Sequence, residues 1–229
     1  MAGEHTSMRD FADLARALRS ATQEADRLML AVEAAVELVP GCSCAGLTIN
    51  RDGECRTLAA TAEALTAANT LQNELGEGPC FPPGREEETV VSQDLVRDER
   101  WPVWGRRVHQ DLGLGSMMSV LVFSGRHVYG TLSVYGTGPG TFTADGLATV
   151  QALAGHLAVS LAAGREIDGL GLALTSRTVI GQAEGIVMER LGVDADQALA
   201  YLKRISSHTN TKLVEVALRL VESRELPEG

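Results

Sequence analysis

The sequence predicts an α+β protein: a sheet flanked by helices, followed by a C-terminal bundle of three short helices. Three observations predict it. Two pairs of apolar runs meet at Asp52-Gly53 and at Ser124-Gly125-Arg126, which reads as two hairpins. Apolar residues at steps of three and four lie on both sides of those runs, the mark of amphipathic helices. After Ser176, three amphipathic stretches follow one another with short polar joints between them.

The elements follow in order. Phe11, Leu14, Leu18, Ala21, Ala25, Leu28, Val32, Ala35 and Val39 alternate steps of three and four. This predicts one helix, ended by Pro40-Gly41. Its narrow seam suits either a homodimer contact or packing on its own domain. Strands are predicted at Cys42–Ile49 and Arg56–Thr61, then an alanine- and leucine-rich helix at Ala62–Leu75. Gly76 to Gly84 is a loop by composition. A short strand at Thr89–Val91 precedes a helix at Arg100–Leu112, which tolerates Pro102 in its first turn. Strands at Ser116–Phe123 and Val128–Tyr135 form the second hairpin. Thr143 opens a helix whose Leu147, Val150, Ala154, Leu157 and Leu161 face one way. Ile167, Leu170 and Leu174 keep a helical step, but Gly164, Gly169 and Gly171 puncture it. A bendable helical relay and a plain loop both fit.

In the tail, Ile180, Ala183, Val187 and Leu191 share a face, and Gly192 stands where a left-handed cap wants glycine. Asp194 with Gln197 three residues on is a capping-box start for the next helix, striped by Ala198, Leu202 and Ile205. Leu213, Val216, Ala217 and Leu220 stripe the last. The expected organisation is an N-terminal helical extension (1–22), a larger α+β domain (23–163), a helical linker (164–174) and the bundle (175–224).

Composition narrows the function. The net charge of −10 argues against a protein that coats nucleic acid indiscriminately. Across Arg177–Val221 six Lys/Arg stand against five Asp/Glu, so the acidic excess lies upstream. No apolar run approaches the ~18 residues of a membrane span, and the charged N-terminus lacks a secretion-signal pattern, so a cytoplasmic protein with no membrane partner is expected. No phosphate-binding glycine loop, HExxH or GxSxG is present, so an enzyme is not expected. Cys42-x-Cys44 lacks zinc-knuckle spacing, and Cys55 falls opposite the neighbourhood of Ile49, ~16 Å along the strand from Cys44. Buried reduced thiols are therefore expected, with no metal site. Cys80 lies in the loop without a flanking cation to lower its pKa. His109, His127 and His156 are isolated and do not suggest haem. The residues specify no cofactor.

The stretches SRTVIGQAEGIVMERLGV, ALAYLKRIS and NTKLVEVALRLV, in this order, resemble the ANTAR domain, an RNA-binding module of bacterial transcription antiterminators. The likeness covers the last fifth to quarter of the chain. Glu184 stands where that family often has lysine, Leu199 where an aromatic residue is usual, and Lys203 where arginine is common. Upstream, GEGPC, DLVRDERWPVW and VYGTLSVYGTGPGTFT resemble GAF domains, particularly those of actinobacterial GAF–ANTAR proteins, over roughly Ala25–Ala162.

The paired resemblance implies a signal-responsive regulator whose GAF-like sensor controls an ANTAR-like domain. That domain would bind paired RNA hairpins in nascent transcripts, with two units in a homodimer. On this reading Arg177, Lys203, Arg204, Ser206, Lys212 and Arg219 form a basic and polar rim for RNA, with Asn210 as a helix cap and Gly185 permitting close helix packing. Trp101, Trp104, His109, Met117 and Tyr129 are the candidates to line a small-molecule cavity, although each also suits plain core. The alternative is a dimeric ligand-binding sensor that acts through protein partners without RNA.

Overall fold

Two-residue turns build the sheet. β1 (Cys44–Arg51) and β2 (Glu54–Ala60) are joined by Asp52 and Gly53, both at positive φ (55° and 83°). Asp-Gly accepts this conformation, which matches the twist of the flanking strands. β3 (Thr89–Ser92) is short. β4 (Ser116–Ser124) and β5 (His127–Gly136) are joined through Gly125, at φ 60°. The five strands pair antiparallel in the order β2-β1-β5-β4-β3. Cys55 pairs with Asn50, one residue beyond the expected Ile49.

The structure, a computed structural model, describes residues 2–81 and 87–226; the loop's expected continuation through Pro82–Gly84 lies outside them. The chain divides into two units, Met1–Gly164 and Arg165–Gly229. In the first, α1 (Ala2–Ser20), α2 (Glu24–Leu38) and the start of α5 (Ala144–Leu191) share one core with alternate residues of the sheet, among them Leu47, Met118, Val120, Leu132 and Val134. The other strand positions, Cys44, Met117 and Tyr135, meet α3 (Glu63–Leu75) and α4 (Trp104–Leu112) in a second core.

One expectation is corrected here. The N-terminal segment is two helices, broken at Ala21–Gln23, rather than one. The seam residues Leu14, Leu18, Leu28, Val32, Ala35 and Val39 are buried in their own domain and are not open to a second copy. A straight helix of that length would run ~40 Å and overshoot the sheet; the break lets both halves bury their stripes in one core. The glycine-punctured stretch is helical, part of α5 throughout, as the helical-linker reading has it and not the plain loop; the side chain of Leu170 lies outside the described residues. Among the described residues, Ala144–Ile167 is long and apolar enough to cross a membrane. However, Val150, Leu153, Ala154, Leu157 and Leu161 along it are already buried in the first core.

The second unit takes the end of α5, α6 (Ala195–Thr209) and α7 (Leu213–Ser223). Ala183, Val187, Ala198, Leu202, Ile205, Val216, Ala217 and Leu220 form its core, the stripes expected from the sequence. Gly192, at φ 64°, ends α5. The capping box is complete: Gln197 N donates to Asp194 Oδ1 (2.8 Å), and Asp194 N donates to Gln197 Oε1 (3.2 Å). Gly185 is exposed, and a Cβ there would meet nothing within 4 Å, so it is not a packing glycine.

Candidate functional site

A cavity of about 290 Å³ lies on the α3/α4 face of the sheet. Ile49 and Asn50 of β1, Ser119 and Leu121 of β4, and Thr131 of β5 contribute to its walls, with Pro79 and Cys80 from the loop after α3. Ser119 and Ser133, opposite one another across β4 and β5, share a hydrogen bond of 2.6 Å. Asn50 Oδ1 is buried with no partner among the described residues, so the wall carries an open acceptor. An unpaired buried acceptor costs ~1–3 kcal/mol, which a ligand donor would recover.

The loop is held by α3. Gln72 is buried; its Oε1 accepts from Cys80 N (2.9 Å) and its Nε2 donates to Asn69 Oδ1 (2.8 Å). Asn69 Nδ2 donates in turn to Thr48 Oγ1 and Thr57 Oγ1 (3.0 and 2.8 Å). Asn73 brackets Cys55, accepting from its N–H (2.7 Å) and donating to its carbonyl (2.9 Å). Gly78 sits at φ 127°, where a Cβ would lie 2.4 Å from Gln72 Oε1, so only glycine lets the loop pass this close. Glu77 reaches the other way: its Oε2 accepts from Val103 N and Trp104 N (2.9 and 3.0 Å), satisfying the start of α4. This contact ties the GEGPC and DERWPVW stretches together. Arg100 completes the corner, donating to Val91 O (2.8 Å) and pairing with Asp98 (2.7 Å). Burial pushes the Asp98 carboxyl up, and the hydrogen bonds from Arg100 outweigh it to hold Asp98 below its usual range.

Cys55 and Cys80 meet at the rim of this network, with Cys55 Sγ 2.9 Å from Cys80 Sγ. The S–H of Cys55, donated to Cys80, holds the Cys80 thiol below its usual range despite burial; the same bond, with burial, holds Cys55 well above it. Burial pushes Cys42 and Cys44 up to about 11.

The five expected cavity residues lie elsewhere. Trp101, Trp104 and Met117 are fully buried in the α3/α4 core, the two indoles edge to face at 5.6 Å. Trp104 Nε1 donates to Ala68 O (3.0 Å). Tyr129 is buried in the core on the opposite face of the sheet. His109 is exposed on α4, a ring nitrogen 3.3 Å from Leu114 O. Large rings fill the space between α3, α4 and the sheet, leaving open the part of the sheet that carries Asn50, Ser119, Leu121 and Thr131. The missed signal was the amide cluster Asn69, Gln72 and Asn73 on a helix read only for alanine and leucine.

On the second unit, Arg177, Lys203, Arg204, Lys212 and Arg219 are all exposed. The guanidinium of Arg204 lies 5.4 Å from the Tyr201 ring centroid. Lys212 is the N-cap of α7, and Arg219 joins Thr209 and Thr211 along a groove of about 370 Å³. Ser206 is only half-exposed; its hydroxyl donates to Thr211 O (2.7 Å), closing the α6–α7 joint, so its first role is structural. Asn210 is the left-handed C-cap of α6, at φ 50°.

A family model described as the GAF domain matches residues 21–162, and one described as the ANTAR domain matches 168–221. No curated protein matches. Solved structures similar to this chain include the GAF domain of a Coxiella burnetii phosphoenolpyruvate-protein phosphotransferase. It is 20% identical with TM-score 0.55, covering 71% of this chain and 96% of that one. The GAF domain of the corresponding Acinetobacter protein is 16% identical, with TM-score 0.55, covering 72% and 98%. The chromophore-binding domain of an R. palustris bacteriophytochrome is 10% identical, with TM-score 0.55, covering 73% of this chain and 64% of that one. The match spans less than two thirds of the bacteriophytochrome chains, falling to 46% of the longer one. At these identities the likenesses establish the fold.

Proposed function

Because this chain belongs to the GAF-domain family and carries an ANTAR domain behind its GAF domain, we propose that it is a signal-responsive, RNA-binding transcription antiterminator. A small ligand in the sheet cavity, donating to Asn50 Oδ1, is the input. The output is the bundle holding paired RNA hairpins in a nascent transcript, with residues 164–174 as the relay between them. The observation that carries the reading is the order of the two domains together with five cations left exposed on a bundle whose apolar stripes are buried. Arg177, Lys203, Arg204, Lys212 and Arg219 meet phosphates, and Tyr201 with Arg204 offers a surface for a splayed base. Two copies present two bundles to two hairpins. Ile167 and Leu174, exposed on α5 and seven residues apart, supply the apolar contact in place of the N-terminal seam.

The test is binding of a two-hairpin RNA across a salt series, against a scrambled RNA of equal length. Selective binding that weakens with salt is expected. In the Lys203→Gln/Arg204→Gln double variant the log–log salt slope shrinks by ~1.4, at ~0.7 per lost phosphate contact. Equal affinity for both RNAs, or a slope the variant leaves unchanged, refutes the RNA assignment and favours a sensor that works through protein partners.

A further inference from the structure

We propose that Cys55 and Cys80 form a reversible, peroxide-driven dithiol–disulfide pair on the rim of the sheet cavity. Several observations converge on these two thiols. They are in contact at 2.9 Å, although one lies on β2 and the other in the loop 25 residues on. Gln72 touches both, accepting from Cys80 N (2.9 Å) and donating to Cys55 Sγ (3.7 Å). Asn50 Nδ2 donates to Cys80 O (3.0 Å), and Asn73 brackets Cys55. Both backbones are thus clamped with the sulfurs facing. Cys80 is also on the cavity wall, so the cavity gives a small oxidant a route to a thiol that is otherwise buried. No His, Asp or Glu joins them in a metal-binding group among the described residues.

The two thiols are unequal, which assigns the roles. Cys80 lines the cavity while Cys55 does not, and it accepts the hydrogen bond from Cys55, so its sulfur meets the oxidant first and is the nucleophile; Cys55 resolves. The Cys80 thiolate attacks a hydroperoxide, the O–O bond breaks, and Cys80 becomes a sulfenic acid as the alkoxide or hydroxide leaves and takes a proton. The Cys55 sulfur then attacks the Cys80 sulfur, forming the S–S bond and expelling water. Overall, two thiols and one hydroperoxide give one disulfide, one water and one alcohol, or two waters from hydrogen peroxide. An external dithiol restores the pair by exchange. The inference stands apart from the RNA reading, because it concerns the first unit alone.

The experiment treats the full chain with a small excess of hydrogen peroxide and maps the unreduced peptides by mass spectrometry. The expected result is that two of the four thiols disappear, a Cys55–Cys80 cross-linked peptide appears, and dithiothreitol reverses both. Cys42 and Cys44 remain free. In Cys55→Ser the reaction stops at a sulfenic acid on Cys80, trapped by a dione reagent. In Cys80→Ser, loss of the Cys55 thiol slows at least ~10-fold, since the thiolate that attacks is gone. Tryptophan fluorescence checks that both variants fold. Four thiols that persist, cross-links that involve Cys42 or Cys44, or equal oxidation of Cys55 with and without Cys80 would each overturn the proposal.

Discussion

Glu77 offers a sharp test of how the loop and α4 depend on one another. Its carboxylate accepts from the N–H groups of Val103 and Trp104, two of the donors that the start of a helix leaves unpaired. Glu77→Ala removes that cap. Loss of a cap costs ~1–2 kcal/mol, and loss of a negative charge at a helix N-terminus ~0.3–1 kcal/mol. A total of about 2 kcal/mol lowers the melting point of a unit of this size by ~4–8 °C. Glu77→Gln keeps a neutral acceptor and should lose about half as much. Both tryptophans of the chain lie in this core, so their fluorescence in urea follows the first unit without interference from the bundle. The m-value should not change, because the same surface unfolds. A shift of the tryptophan transition below ~0.5 kcal/mol in Glu77→Ala, or a Gln variant that costs as much as Ala, refutes the capping role of Glu77.

Leu202→Ala empties the centre of a small bundle and should cost ~2–4 kcal/mol, read as faster amide exchange in α6 and α7 with the tryptophan transition unchanged. Asn210→Ala, at φ 50°, should destabilise that bundle by ~1 kcal/mol while Asn210→Gly is near neutral, measured by thermal circular dichroism. Arg100→Met strands the mostly buried Asp98 carboxylate and should cost ~1–3 kcal/mol at neutral pH. Because Asp98 is held low in the folded state, its stabilisation is present above the ordinary carboxylate value of ~3.9. It is lost as pH falls through the lower folded value, so urea midpoints of wild type and variant should converge in acid.

Much of the architecture was legible because it rests on local rules. The hairpin turns follow from residues that tolerate positive φ, and the bundle's stripes and capping box from spacing along single helices. The N-terminal seam was legible as a stripe but not as to its partner. Period and apolarity are the same whether a helix meets its own sheet or a second chain, and nothing local at Ala21–Gln23 marks the break. The cavity was misread for a related reason. Aromatic residues were expected to line it, yet their size makes them the material that fills gaps, and open space remains where strands carry Ser119, Leu121 and Thr131.

What the sequence determined by itself was the run of elements, the α+β class and the two-domain order, since each depends on neighbours within a few residues. Only the tertiary structure decided that Glu77 caps a helix 26 residues on, that Gln72 clasps the loop, and that Cys55 and Cys80 touch. Those contacts join residues distant in the chain. Their geometry comes from the way the sheet and its covering helices close around one core, which no local pattern encodes.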